Sequence, residues 1–142
     1  MREVSVRILA WPDAETDAMR VRDAVFVVEQ GVPREIERDA WDQCSDHALA
    51  LDRDGRVVGT GRLLPDGHIG RMAVLREWRG HGIGGRILGA LVACARERGM
   101  KRVVLNAQTH AAPFYAGHGF AAFGDEFMEA GIPHVAMARE IS

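Results

Sequence analysis

A glycine-rich segment between a short apolar strand and a long amphipathic helix constrains the fold of this chain more than any other feature. Four of the six residues from 80 to 85 are glycine. A β-rich stretch at 102–107 follows the helix, and strand, helix and strand in this order predict a right-handed crossover between two parallel strands. The helix is predicted from Gly82 to Arg98, because apolar residues recur at the spacing of one buried face, at Ile83, Ile87, Leu88, Leu91, Val92 and Ala95.

The rest of the chain predicts a mostly antiparallel sheet around that unit. Alternation and turn residues predict further strands at 4–9, 47–51, 57–64, 68–75, 120–123 and 134–140, with a turn at 131–133, and helices at 14–29 and 111–118. We expect Asp13 to cap the first helix and the segment that starts at Gly31 to end it. The valines of this helix also permit a strand near its C-terminal end. The predicted fold class is a mixed α+β (α/β) arrangement of a twisted sheet flanked by helices. At 142 residues, we expect a single domain over 1–142.

Composition excludes several classes of protein. Glycine makes up 16 of 142 residues, but there is no Gly-X-Y period and only 5 prolines, so the chain is neither collagen-like nor disordered. The net charge is −2 without a basic stripe, so we expect no nucleic-acid partner. No apolar run can span a bilayer and no secretory signal is evident, so we expect no membrane partner and a cytoplasmic location. The six histidines and two cysteines show no metal-ligand spacing, so no metal is expected.

The glycine loop has the chemistry of an anion site. Gly80, Gly82 and Gly85 satisfy G-x-G-x-x-G, but the mid-chain position argues against a Rossmann domain, and the Lys-Ser/Thr pair of a Walker loop is missing. Glycines let backbone N–H groups approach a ligand, and a helix N-terminus carries about half a positive charge. Arg79 and Arg86 add charge nearby. We therefore interpret the loop as a phosphate or pyrophosphate site rather than as a tight turn alone.

The segment 72–88 resembles the central motif of the GNAT superfamily of acyl-CoA-dependent N-acetyltransferases. The resemblance continues at 111–120, where Phe114-Tyr115 and Gly119-Phe120 are similar to the downstream motif of the same superfamily. The segments 25–30 and 131–137 resemble its ElaA-type branch. The resemblance implies a GNAT-like central sheet whose parallel pair is splayed at the cofactor site.

The resemblance also implies which residues hold the co-substrate acetyl-CoA. The N–H of Val74 would point at the thioester carbonyl, Tyr115 would stand near the sulfur, and the glycine loop would hold the pyrophosphate. Many relatives have Asn seven residues before the tyrosine, where this chain has Gln108. The implied cofactor-binding set is Met72, Ala73, Val74, Arg79, Gly80, His81, Gly82, Ile83, Gly84, Gly85, Gln108 and Tyr115.

Acetyl transfer to an amine requires three functional groups: a hydrogen-bond donor, an acid and a base. A backbone N–H that stabilises the developing negative charge is worth about 3 kcal/mol, and we expect Val74 to supply it. An acid must protonate the leaving thiolate, and the phenol of Tyr115 matches that role. A base must take a proton from the ammonium, and the candidates are Glu29, Glu35, Glu37, Asp39 and His134, with a water relay as an alternative. The acidic run at 29–46 has a net charge of −4 from six acids and two arginines, which would attract a cationic amine unless it is simply a solvated loop.

These expectations predict direct transfer of acetyl from acetyl-CoA to a primary amine in a ternary complex, the acceptor being a small-molecule amine or a peptide. A non-catalytic acyl-CoA-binding module or sensor is an alternative that shares the phosphate loop but does not need Tyr115. A P-loop nucleotide-binding protein is a third interpretation, which the missing Lys-Ser/Thr pair disfavours. Association into a homodimer is an alternative to a monomer that the sequence leaves open.

Overall fold

Four antiparallel strands form the first sheet in the order of the chain. The structure, a computed structural model, describes residues 3–141 except for the side chain of Ile36. The strands are β1 (Ser5–Ala10), β2 (Asp46–Leu51), β3 (Val57–Leu63) and β4 (Ile69–Val74). Gly55, with a φ of 81°, turns the chain between β2 and β3. The predicted meander of three consecutive strands is confirmed, with β1 added at its edge.

A second antiparallel sheet is built from β5 (Arg102–Gln108), β6 (Ala121–Glu129) and β7 (Ile132–Glu140), with β7 in the middle. The two closing strands at 120–123 and 134–140 were predicted too short. Gly124, with a φ of 77°, lies where the pairing of β6 with β7 shifts register. This irregularity breaks the alternation of apolar and polar residues from which a strand is predicted. The chain reverses at Ala130 and Gly131, both with positive φ, so the predicted turn lies slightly earlier and Pro133 is inside β7.

The predicted parallel pair of β4 and β5 is present, and it is limited to one bridge beside the start of the two strands. The sheets meet at one parallel bridge between His68 and Val104, where the Val104 N–H donates to the Gly67 carbonyl at 3.1 Å. Beyond it, the register of β3 and β4 shifts and Arg71 adopts a φ of 50°, which are the marks of a β-bulge. A bulge bends and twists its strand, so β4 turns away from β5 and leaves a gap. The splay that the family resemblance implied is therefore present.

The first helix begins earlier than predicted. Helix α1 (Trp11–Arg22) has Pro12 in its first turn, where the missing N–H costs no hydrogen bond, and Ala10 at its N-cap position. The expectation that Asp13 caps the helix is wrong, since Asp13 lies inside the first turn. A π-helical segment, Asp23–Glu29, continues α1, so the alternative of a strand there is wrong as well. The chain is turned by Gly31 and then enters α2 (Arg34–Glu37).

Helix α3 (Ile83–Glu97) packs its apolar face on the first sheet, as the periodicity predicted. Two glycines of β3 allow this close approach, because a Cβ on Gly61 would lie only 2.9 Å from Cγ2 of Ile87. Cys94 is buried on α3. The predicted helix at 111–118 is shorter than expected, with a 3-10 turn Thr109–Ala111 leading into α4 (Ala112–Ala116). Within residues 3–141, no helix is long and apolar enough to cross a membrane.

Candidate active site

A cavity of about 940 Å³ occupies the gap between β4 and β5. Its lining includes residues of β4, the start of α3, α4, the π-helical segment, α2 and the β6–β7 turn. Of the predicted cofactor-binding set, the cavity lining includes every residue except His81.

The backbone of Val74 faces this gap. Leu75 N–H donates to the Val58 carbonyl at 2.9 Å and therefore points at β3. Successive N–H groups along a strand point to opposite edges, so the N–H of Val74 points away from β3. The carbonyl of Val74 points the same way, and it accepts a hydrogen bond from Nε of Arg79 at 2.9 Å.

The glycine loop leads directly into the N-terminus of α3. Gly80 and Gly82 have φ angles of 81° and 77°, which side chains rarely adopt, and Gly82 is the N-cap residue. The first-turn N–H groups of a helix have no acceptor within it, so they are available to a ligand. A Cβ on Gly85 would lie 3.0 Å from the imidazole of His118, and this glycine therefore also makes room for the turn that follows α4.

The two arginines beside the loop have other partners. Arg79 forms a two-point ion pair with Glu29, at 2.9 and 2.8 Å, and this contact links the loop to the π-helical segment. Arg86 donates to the backbone carbonyl of Val4. Both guanidinium groups therefore lie beside the loop with protein partners of their own, and a role for Arg79 in binding the cofactor stays a prediction.

Tyr115 lies on α4 with its hydroxyl 3.9 Å from the sulfur of Met72 on β4. Its ring packs edge-on against Phe114 and Phe120, with centroids 5.0 and 6.2 Å away. Burial raises the pKa of Tyr115 above its ordinary value. The phenol therefore keeps its proton at neutral pH, in the form that a general acid needs.

The side chain of Gln108 connects β5 to the π-helical segment. Its Nε2 donates to Oε1 of Gln30 at 2.9 Å, and its Oε1 lies 2.7 Å from Nε2 of His110. These contacts use both ends of the amide while Gln108 still lines the cavity. Whether it also contacts acetyl-CoA stays a prediction.

The structure separates the five candidates for the base. Glu29 is paired with Arg79, and Glu35 is exposed on α2 away from the cavity lining. Glu37 and Asp39 line the cavity but belong to a network of ion pairs. His134 is buried, lines the cavity and is held by Ile132 O at 2.7 Å.

That network, here called the arginine cluster, was missed by sequence reasoning. Its arginines are half to fully buried, and most of its ion pairs lie between 2.5 and 3.2 Å; the members are Arg22, Arg62, Arg71, Glu37, Asp39 and Asp42. Arg62 donates to Asp39 and holds the pKa of that carboxyl below its usual range, despite burial, with help from Arg71. The acidic run is therefore neither simply solvated nor simply attractive to cations. A charged residue at Arg62, inside an apolar strand pattern, was the signal that could have revealed it.

Comparison with known proteins identifies the family. Residues 11–141 match the family model described as an acetyltransferase (GNAT) domain. The chain is 42% identical to the Bacillus subtilis (strain 168) protein "Uncharacterized N-acetyltransferase YjcF", over 87% of this chain and 91% of that protein. Escherichia coli ElaA superposes with a TM-score of 0.84 at 30% identity, over 97% of this chain and 100% of that one. An acyl-CoA N-acyltransferase from Pseudomonas aeruginosa superposes with a TM-score of 0.85 at 29% identity, over 96% and 99%.

The chain belongs to the GNAT family of acetyltransferases. It is an acyl-CoA-dependent N-acetyltransferase, which confirms the class of enzyme that the resemblance implied.

Proposed function

We propose that residues 1–142 act as a single domain that transfers the acetyl group of acetyl-CoA directly to a primary amine of a small-molecule or peptide acceptor. The observation that carries this proposal is the N–H of Val74, which faces the same cavity as the phenol of Tyr115. An N–H donor and a protonated acid beside one gap are what thioester aminolysis needs.

The residues around the glycine loop fit the phosphates of acetyl-CoA. A Cβ at Gly80 would meet nothing within 4 Å, so the space over the loop is open to a ligand. Helix α3 has 15 residues, long enough for its N-terminal N–H groups to carry a useful partial charge. Met72, Ala73 and Val74 continue from the bridge toward this loop and offer a path for the pantetheine arm.

Acetyl-CoA supplies the activated thioester, and the residues of the chain supply the rest of the chemistry. The N–H of Val74 donates to the carbonyl oxygen as negative charge grows there, a contribution of about 3 kcal/mol. The hydroxyl of Tyr115 gives its proton to the thiolate as the C–S bond breaks. The acceptor enters the cavity past Phe26, Gln30 and the β6–β7 turn.

An acetyl-transfer assay on purified wild-type protein tests this proposal. Release of free CoA thiol from acetyl-CoA is followed over a panel of amino acids, polyamines, other small amines and peptides with free N-terminal or lysine amines. We expect release with at least one acceptor, together with a product heavier by one acetyl group. Tight CoA binding by calorimetry with no release over the whole panel would instead support the acyl-CoA-binding module. Binding of ATP without binding of CoA would support the P-loop alternative.

A further inference from the structure

His134 lines the same cavity as the glycine loop, from strand β7. It is the third residue of β7, is only 6% exposed, and pairs in register with Gln108 at the end of β5. The ring of Phe127 on β6 stacks on its imidazole, with the centroids 6.0 Å apart. The imidazole is therefore held by two strands and a ring at the edge of the gap where an amine must arrive.

The hydrogen bonds of this imidazole decide which nitrogen is free. Nδ1 lies 2.7 Å from the carbonyl oxygen of Ile132, and a carbonyl can only accept, so Nδ1 carries the proton. In the neutral ring the lone pair is then on Nε2. A lone pair on Nε2 is what a base requires.

A carboxylate stands beside that nitrogen. Oε2 of Glu129 is 3.5 Å from Nε2 of His134, and Asn106 donates to Oε1 of the same carboxylate at 3.3 Å. All three side chains line the cavity. Glu129 is half exposed, so it joins the buried imidazole to solvent and stabilises it when it becomes charged.

The other charged groups around the cavity are less suited to accept a proton. His110 lies on the neighbouring turn, and its Nε2 is bonded to Gln108. Glu37, Asp39, Arg62 and Arg71 also line the cavity, and they pair with one another or with the rest of the arginine cluster. The arginines stabilise the charged carboxylates, which makes Asp39 a weaker base.

We propose that His134 is the general base of this enzyme and that Glu129, held by Asn106, is its positioning residue. This inference rests on the proposed function, because it assigns a step of that reaction. Nε2 takes one proton from the acceptor ammonium and passes it to solvent past Glu129. The freed amine forms the C–N bond as the C–S bond breaks. The nitrogen loses its second proton to solvent, and the Tyr115 phenolate, which gave its proton to the thiolate, takes one proton back from solvent, so the phenol is restored.

Three variants and one control test this assignment through the pH dependence of kcat. A base must be neutral, so wild-type kcat falls as the pH drops and the imidazole becomes protonated. In Glu129→Gln the charged ring is less stabilised, so we expect this acid limb to move to lower pH. His134→Gln and His134→Ala should lower kcat by about 10²- to 10⁴-fold with little change in the KM for acetyl-CoA. Added imidazole should restore part of the activity of His134→Ala but not of His134→Gln, whose side chain fills the space.

The matched control is His68→Gln. His68 also lines the cavity and also pairs with a carboxylate, since its Nδ1 is 2.9 Å from Asp66, but it lies at the β4–β5 bridge. Its substitution should leave the acid limb in place. An acid limb unmoved in Glu129→Gln, or wild-type kcat in His134→Gln, would overturn the assignment. A wild-type protein that acetylates no amine would overturn the proposed function instead, so the two failures are distinguishable.

Discussion

Tyr115 and Val74 show how one side chain and one backbone group can carry the chemistry of this site. The phenol is partly buried against Phe114 and Phe120, and its hydroxyl lies 3.9 Å from the sulfur of Met72 on β4. In the proposed reaction Val74 would contribute its N–H rather than its side chain, so an apolar residue can serve at this position.

We predict that Tyr115→Phe lowers kcat by about 10²-fold or more and leaves the KM for acetyl-CoA nearly unchanged. The phenylalanine ring keeps the packing with Phe114 and Phe120 and loses only the proton donor. Steady-state kinetics with the best acceptor of the panel measures this, and thermal unfolding shows whether the fold is intact. Wild-type turnover in this variant would mean that Tyr115 is only a packing residue.

At the scale of elements, helix α3 determines where the site lies. Its apolar face is buried against the first sheet, and its N-terminus meets the gap beyond β4. Glycines with left-handed φ lie on both sides of it, Gly80 and Gly82 before it and Gly99 after it. Gly99 ends the helix, whereas we propose that Gly80 and Gly82 have left-handed φ angles because the loop binds a ligand.

Gly80→Ala and Gly99→Ala form a matched pair that separates these two reasons. Both glycines have similar φ angles, 81° and 77°, and a Cβ at either meets nothing within 4 Å. We expect both variants to lose about 1–2 kcal/mol of unfolding free energy from backbone strain. Only Gly80→Ala should also raise the KM for acetyl-CoA, because its loop must meet the phosphates. Urea unfolding and initial rates check this, and an equal KM in the two variants would contradict an anion site at the loop.

Across the whole molecule, the arginine cluster joins α1, α2 and β3 on one wall of the cavity. Asp42 is nearly fully buried and accepts from Arg22 at 2.8 and 3.1 Å and from Arg62 at 2.9 Å. Burial raises the pKa of Asp42, but the two guanidinium groups outweigh it, so the pKa lies below the ordinary value. A carboxylate with a lowered pKa stabilises the fold fully above its unfolded pKa, about 3.9, and loses that contribution as the pH falls toward the folded pKa.

We predict that Asp42→Asn lowers the unfolding free energy by about 3–5 kcal/mol at neutral pH, because it leaves buried guanidinium charge uncompensated. The variant should also lose less stability than the wild type as the pH falls from about 5 to about 3, since it no longer has this proton to bind. Urea unfolding over that range measures both effects. Asp54→Asn, at an exposed position, is the control. An equal loss of stability on acidification in Asp42→Asn and wild type would contradict this role.

The sequence alone determined the helices and strands whose formation depends on the pattern of neighbouring residues. Helix α3 and the strands β2 to β5 were predicted within a residue or two, because periodicity and turn glycines are local signals. The glycine loop could be found in the same way, whereas the role expected of Tyr115 came from the family resemblance. The association of two copies of this chain into a homodimer stays a prediction.

Only the tertiary structure decided how these pieces meet. The bulge at Arg71 limits the expected parallel pair to one bridge and leaves a gap beyond it, and no local pattern encodes the path of a bent strand. The partners of Arg22 lie 15 and 20 residues further along the chain, so the sequence could show the charges but not their pairing. The proposed base follows the same rule, because the sequence did not rank the five candidates, and only folding places His134 and Glu129 together beside the cavity. Strand and helix identity depends on neighbouring residues, whereas a site depends on which distant residues share one space.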